Sequence, residues 1–244
     1  MITPHWPAPA HVRAYTTTRK GGVSQGPYAQ LNLSSQVGDD PNAVNTNRHL
    51  LRQHLSLPND PIWLHQAHTV HVLCIDEKTS SSADDPHDAS YTQRRAQVCA
   101  VLTADCLPLL LCNKTGTLVA AIHAGWRGLA AGVIEHTLQQ LPAKSDELLV
   151  WLGPAMGPQA FELGPEAKES LLTHAPAGSE AAFRPASPGK WWGDMYELAR
   201  IRLRAQGVRA IYGGDYCTYT QSDLFYSYRR DKTTGRMASL IYLH

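Results

Sequence analysis

Val98-Cys99-Ala100-Val101-Leu102-Thr103-Ala104-Asp105-Cys106-Leu107-Pro108-Leu109-Leu110-Leu111-Cys112-Asn113-Lys114-Thr115-Gly116-Thr117-Leu118-Val119-Ala120-Ala121-Ile122-His123 is the stretch that decides the fold. Its aliphatic and β-branched content predicts buried strands at Val98–Thr103, Pro108–Cys112 and Thr117–His123, with a turn at Asn113–Gly116. Polar residues break the apolar run at Thr103-Ala104-Asp105-Cys106, where a strand should end. After His123 the chain passes a glycine-bearing turn, His123-Ala124-Gly125-Trp126-Arg127-Gly128. A helix is expected from Gly128 to Leu141, because Leu129, Val133, Leu138 and Leu141 recur near the helical period and Pro142 stops it. A further strand, Glu147–Leu152, runs into Gly153-Pro154.

Working outward, Asp40-Pro41 supplies an N-cap and a first-turn proline for a helix to about His54. Ile62–Asp76 reads as one or two strands and Lys78–Asp88 as an exposed loop. The segment up to about residue 40 is rich in Gly, Pro, Ser, Thr and Asn, so it either frays or forms a shaped loop over a site. Towards the C-terminus a short helix is expected from Gly164-Pro165 to about Thr173, a loop over Ala175–Lys190 and a helix over Asp194–Gln206. Strands near Ala210–Tyr216 and Met237–Leu243 close the chain. No repeat is visible and no linker separates two cores, which points to a single α+β domain over residues 1–244.

At 244 residues with 43% hydrophobic side chains, the chain can bury a core without disulfides. Lys plus Arg number 22 against 21 for Asp plus Glu, a net charge of +1 with no basic tail. That balance argues against a nucleic-acid or anionic-membrane partner. No apolar run approaches the roughly 18 residues of a membrane span, and the N-terminus has no signal-like pattern. The expectation is a soluble, cytoplasmic protein.

The five cysteines, Cys74, Cys99, Cys106, Cys112 and Cys217, include no C-x-x-C pair, which fits a reducing compartment. Cys74, Cys99 and Cys112 sit among apolar residues and read as core. Cys106 stands apart at a strand end. Among the 12 histidines, His65, His68 and His71 are three apart, yet their neighbours favour strand, which would turn His65 and His71 away from His68. His123 ends an apolar strand at a glycine-bearing loop, where a rigid element presents a functional side chain. Cys106 and His123 meeting in space would form either a nucleophile and base pair or part of a zinc site. Spacing alone leaves both open. Neither G-x-G-x-x-G nor the P-loop pattern occurs, so a dinucleotide fold or P-loop is unsupported. Arg19, Arg48, Arg127, Arg229 and Arg230 lie in polar turns or helix surfaces, and one beside a pocket can clamp a phosphate.

Together these segments resemble the YfiH/laccase-domain family, known as multicopper polyphenol oxidoreductases and as purine nucleoside phosphorylases. The resemblance is carried by Thr17-Thr18-Arg19-Lys20-Gly21-Gly22-Val23-Ser24, Leu31-Asn32-Leu33-Ser34, Asn47-Arg48 and Gln66-Ala67-His68. It continues through Thr103-Ala104-Asp105-Cys106-Leu107-Pro108, Ile122-His123-Ala124-Gly125-Trp126-Arg127-Gly128 and Cys217-Thr218 to Tyr226-Ser227-Tyr228-Arg229-Arg230-Asp231. The chain departs from the family at Ala155-Met156, where many members have a cysteine after Gly-Pro, and at Ala67, where valine is usual.

The resemblance implies a four-layer α/β/β/α sandwich and a zinc ion on His68, Cys106 and His123, a site a single copper can also occupy. It implies phosphorolysis of adenosine, inosine, guanosine and S-methyl-5′-thioadenosine, with hydrolytic deamination of adenosine besides. Purine nucleosides and phosphate are then the partners of a monomer or weak oligomer. Arg48 is the first candidate for phosphate, followed by Arg229 and Arg19, with Asn32 also placed at the substrate. Asp105 is expected to act as an acid/base group or to orient a ligand imidazole. The histidine pattern speaks against a four-copper laccase, since no two of the 12 are two apart. A metal-free cysteine hydrolase using Cys106 and His123 is the main alternative, followed by a copper polyphenol oxidase, a non-catalytic zinc module and a peptidoglycan-precursor editing factor.

Overall fold

The structure, a computed structural model, describes residues 1–76 and 85–244. Its strands are β1 (Val12–Thr16), β2 (Ile62–Trp63), β3 (Val72–Cys74), β4 (Ala89–Thr92), β5 (Val98–Thr103), β6 (Leu107–Asn113), β7 (Val119–Ala124), β8 (Leu148–Leu152), β9 (Glu162–Leu163), β10 (Phe183–Pro185), β11 (Trp191–Gly193), β12 (Ala210–Gly213) and β13 (Met237–Leu243). The helices are α1 (Pro41–Leu55), α2 (Trp126–Ala131), α3 (Val133–Gln140), α4 (Pro165–Thr173), α5 (Met195–Ala205) and α6 (Tyr228–Asp231). A four-stranded sheet has the order β1-β13-β5-β2, a six-stranded sheet β12-β8-β6-β7-β4-β3, and a small third sheet β10-β11-β9.

Three apolar interfaces define four layers, and the strands divide their residues between them by strict alternation. On β5, Val98 and Ala100 face α1 with Leu51, whereas Cys99 and Val101 face the six-stranded sheet. On β6 and β8, Leu110, Cys112, Leu149 and Trp151 fill the space between the two large sheets. Their neighbours Leu109, Leu111, Val150 and Leu152 pack against α2, α3 and α5 through Leu129, Val133 and Leu198. Each strand between Val98 and His123 therefore reads as continuously apolar because both of its faces are covered. The architecture is the four-layer α/β/β/α arrangement that the resemblance implied.

Differences from the sequence reading have local causes. The expected helix Gly128–Leu141 is two helices, broken at Gly132, whose φ of 91° caps α2 through its N–H to the Gly128 and Leu129 carbonyls. The apolar period survives the break, because both halves bury one face on the same sheet. The opening segment contains β1, which pairs antiparallel with β13 from Val12↔Leu243 to Thr16↔Ser239. β10 lies inside the expected loop Ala175–Lys190 and is recruited by pairing with β11. Residues 78–84 of the expected loop Lys78–Asp88 lie outside the described residues, and Asp88 itself is buried just before β4. Cys99 and Cys112 are fully buried, and burial pushes their thiols up to about 12. Among the described residues no helix is long and apolar enough to cross a membrane.

Candidate metal centre

Cys106 lies in the turn Ala104-Asp105-Cys106, immediately before β6, and in this turn Asp105 takes a left-handed φ of 90°. Such a backbone costs on the order of 1–3 kcal/mol in a residue other than glycine. It is held by three bonds. Asp105 Oδ1 accepts from the Thr218 hydroxyl at 2.7 Å, Oδ2 from the Arg229 N–H at 2.6 Å, and the carbonyl from the Met156 N–H at 2.9 Å. Next to this turn, His123 lies on β7 opposite Pro108 of β6, so sheet register brings it beside Cys106. His68 arrives from a separate turn between β2 and β3, where its φ is 59°. The expected strand through His65–His71 does not form; His65 only bridges to Pro86, and the His71 ring bonds the Pro86 carbonyl. His68 is thus singled out by a turn rather than by strand alternation.

One buried carboxylate connects two of these elements. Asp88 Oδ1 accepts from His123 Nδ1 at 2.6 Å. Its Oδ2 accepts from the N–H of Thr69 at 2.6 Å, the Thr69 hydroxyl at 2.9 Å and the N–H of Ala67 at 3.2 Å, which brackets His68. The Asp88 bond fixes the His123 ring through Nδ1, the usual carboxylate support of a ligating imidazole. Burial alone would raise the Asp88 pKa, but the bonds from His123 and Thr69 hold it down at about 2. Burial likewise works against protonated His123, yet the nearby Cys106 sulfur and the Asp88 carboxylate outweigh it and lift His123 to about 9. His68 is shifted the other way, down, by burial and by the neighbouring His123.

The donor atoms of His68, Cys106 and His123 all lie within 4.8 Å of one another. The His68 and His123 rings sit 4.9 Å apart, centre to centre. His68 Nδ1 is buried without a hydrogen-bond partner, a costly state unless something else satisfies it. Two imidazoles and a thiol form a borderline-soft set suited to zinc or copper, and three protein donors leave a fourth tetrahedral position open. The residues present therefore fit a transition-metal ion. Gly125 makes the cluster possible, since a Cβ there would collide with His68 Nδ1 and approach Cys106 Sγ to 3.1 Å. Gly125→Ala is expected to displace His68 and lower metal affinity at least tenfold, on the scale of a lost supporting contact; competition with a chromogenic chelator reads the change directly.

The ligand set also has a pH signature. Without metal His123 stays protonated up to a pH of about 9, and coordination must expel that proton. Metal uptake between pH 7 and 8 should then release about one proton, so affinity rises roughly tenfold per pH unit and flattens above about 9. Calorimetry in buffers of different ionisation enthalpy counts that proton directly.

Two cavities meet at the cluster. The larger, about 400 Å³, is lined by His68, Cys106 and His123 together with Gln36, Tyr228 and Arg236. The smaller, about 250 Å³, shares His68, Cys106 and Tyr228 and adds Trp126, Arg127, Arg229 and Lys232. The other expected residues are placed variously. Asn32 is fully buried and bonds Ser34, Asp39 and the Arg236 N–H, holding the loop that contributes Ser34 to the larger cavity. Arg19 spans the Ala29 and Ser222 carbonyls and covers the Tyr226 ring. Arg48 donates to the Leu33 carbonyl and sits over the Trp63 ring at 4.4 Å, and it is not among the residues lining either cavity. Arg229 does line the smaller cavity, although one of its guanidinium N–H groups is given to the Glu162 carbonyl. Asp105 pins the Cys106 turn, while the carboxylate that orients an imidazole is Asp88. Sequence reasoning missed Asp88 and Arg236. Neither has a spacing signal, since Asp88 is 35 residues from His123.

The fold and cluster together define a four-layer α/β protein with a cavity-borne His/Cys/His metal-type centre. The chain belongs to the family described as multi-copper polyphenol oxidoreductase laccase, whose sequence model matches residues 13–244. It is 52% identical over 243 residues to a Pseudomonas aeruginosa protein named purine nucleoside phosphorylase, covering 99% of this chain and 98% of that one. The Escherichia coli purine nucleoside phosphorylase YfiH is 50% identical over 243 residues, covering 100% and 98%. A crystal structure of a Neisseria meningitidis protein superimposes with a TM-score of 0.93 at 45% identity, covering 99% of this chain and 98% of that one.

Proposed function

We propose that this protein is a zinc-dependent purine nucleoside phosphorylase acting on adenosine, inosine, guanosine and S-methyl-5′-thioadenosine, with adenosine deamination as a second activity. The observation that carries the reading is the His68, Cys106 and His123 cluster at the meeting of two cavities. Its support is a chain half identical, end to end, to proteins bearing the phosphorylase name. In phosphorolysis the bond between the sugar C1′ and purine N9 breaks with its electron pair on the purine. A phosphate oxygen forms the new C1′–O bond, and the proton carried by phosphate ends on the base. His68, Cys106 and His123 hold the ion, with Asp88 keeping His123 in the productive orientation. A zinc ion bound there supplies Lewis acidity, polarising substrate atoms and acidifying water at neutral pH. Arg236, in the larger cavity, balances the negative charge that develops on the departing purine.

The purified protein with inosine should release hypoxanthine only when phosphate is added, with ribose 1-phosphate formed in equal amount. Base release that ignores phosphate overturns the phosphorylase reading. A second reading, a metal-free cysteine hydrolase, draws on the close contact between Cys106 and His123. It predicts activity that survives chelation and stops on thiol alkylation without release of metal. An oxidase is disfavoured by the donors available, because among the described residues one three-donor cluster is found where a multicopper enzyme needs several.

A further inference from the structure

We propose that inorganic phosphate binds in the smaller cavity, held by Arg127, Arg229 and Lys232, while the nucleoside occupies the larger one. The inference rests on the phosphorylase reading and deepens it by dividing the two substrates between the two cavities. Three cations converge on about 250 Å³ from α2, from α6 and from the residue just after α6. The carboxylate that lines this cavity, Asp105, has both oxygens occupied by Thr218 and the Arg229 backbone. Among the described residues, none of the three cations forms an ion pair with a carboxylate. Arg127 instead sits over the Trp126 ring, its Cζ 4.3 Å from the centroid, a cation–π contact that uses none of its N–H donors on a carboxylate. Three cations against the one Asp105 carboxylate leave a local excess of positive charge, which is what a multiply charged oxyanion requires.

The larger cavity has a different chemistry. Its cation is Arg236, whose guanidinium already donates to the Thr234 and Gly235 carbonyls, and its walls include Val37, Leu64, Leu102 and Tyr228. Apolar side chains with an amide such as Gln36 at hand suit a purine. Displacement at the sugar carbon in a single step needs the incoming oxygen and the departing base on opposite faces of the ring, as in inverting sugar chemistry. His68, Cys106 and Tyr228 line both cavities, so a ribose at their junction would present its two faces to the two compartments.

The test uses the zinc-loaded protein and inorganic phosphate alone, with binding read by calorimetry and no turnover required. Arg127 and Lys232 are exposed, so the double substitution Arg127→Gln with Lys232→Gln leaves the core untouched. It should weaken phosphate binding by roughly tenfold or more and raise the phosphate KM in step, with zinc content and the dissociation constant for inosine without phosphate unchanged. Phosphate binding that is unaltered in this variant, or that is lost in Arg236→Gln instead, overturns the subsite. Wild-type protein that binds phosphate through these residues but makes no ribose 1-phosphate leaves the subsite standing and overturns the phosphorylase reading.

Discussion

Cys106→Ala should fold as well as the parent, hold no stoichiometric zinc and make no measurable ribose 1-phosphate. Folding is expected to survive because Cys106 is only partly buried and lines both cavities instead of joining one of the apolar interfaces. Zinc is expected to be lost because the thiolate is the one anionic donor among the three. If structural zinc sites bind with roughly 10–16 kcal/mol, removing one strong donor of a few costs on the order of 4 kcal/mol, about a thousandfold in affinity. Activity alone does not separate zinc chemistry from a cysteine nucleophile, since both need Cys106. His68→Ala separates them. Its ring has an unpartnered Nδ1 facing the cluster and no role in a Cys106 and His123 dyad. Loss of zinc and turnover together in His68→Ala supports the metal reading. Full activity in that variant sinks it and leaves the hydrolase.

How much of this was legible in the sequence depends on which interactions are local. The strands from Val98 to His123 were readable because burial on both faces writes itself as continuous apolar character. β1 was not, because Val12-Arg13-Ala14-Tyr15-Thr16 is a short edge strand whose identity comes from pairing with β13, more than 220 positions away. The break at Gly132 was hidden for the opposite reason: two helices that share one apolar face keep one period across the gap. In the site, Cys106 and His123 stood out because polar residues at the ends of apolar strands are unusual. His68 as a ligand came from the family resemblance, and the turn that presents it depends on Asp88, a residue remote in sequence. The arginines show the limit most clearly. Arg19 and Arg48 sit in family-like motifs but give N–H groups to backbone carbonyls, whereas Arg127, from another such motif, and Lys232, which carries no sequence signal, line a cavity. A cation's availability is a property of its neighbours in space.

Asp88→Asn should damage stability and metal binding at once, and the double effect follows from its geometry. The substitution keeps the volume of a side chain with no exposed surface, so packing is preserved. What changes is hydrogen-bond polarity. Every partner of the carboxylate is a donor: the His123 ring, the Thr69 hydroxyl and the N–H groups of Thr69 and Ala67. An amide has one accepting oxygen, so its NH₂ must face either the imidazole or the Thr69 and Ala67 donors, and donor meets donor unless the imidazole changes tautomer. With a pKa held at about 2, the native carboxylate is fully ionised at neutral pH. Removing that charge beside His123 breaks a buried pair, at a cost of about 3–5 kcal/mol in unfolding free energy. If the amide NH₂ takes the His123 side, the imidazole must present Nδ1 as an acceptor and carry its proton on Nε2, the nitrogen the metal needs. Zinc affinity should therefore fall by about 10–100-fold. Urea unfolding of the zinc-loaded and zinc-stripped forms separates the two effects. The stripped protein reports the broken pair alone, and the loaded protein adds the weakened coordination. Asp105→Asn is the matched control, since that carboxylate is also buried and doubly bonded but touches the cluster only through the turn that bears Cys106. It should destabilise both forms by similar amounts. Equal zinc affinity in Asp88→Asn and the parent would mean that Asp88 merely ties the His68 turn to β4 and does not set the tautomer of His123.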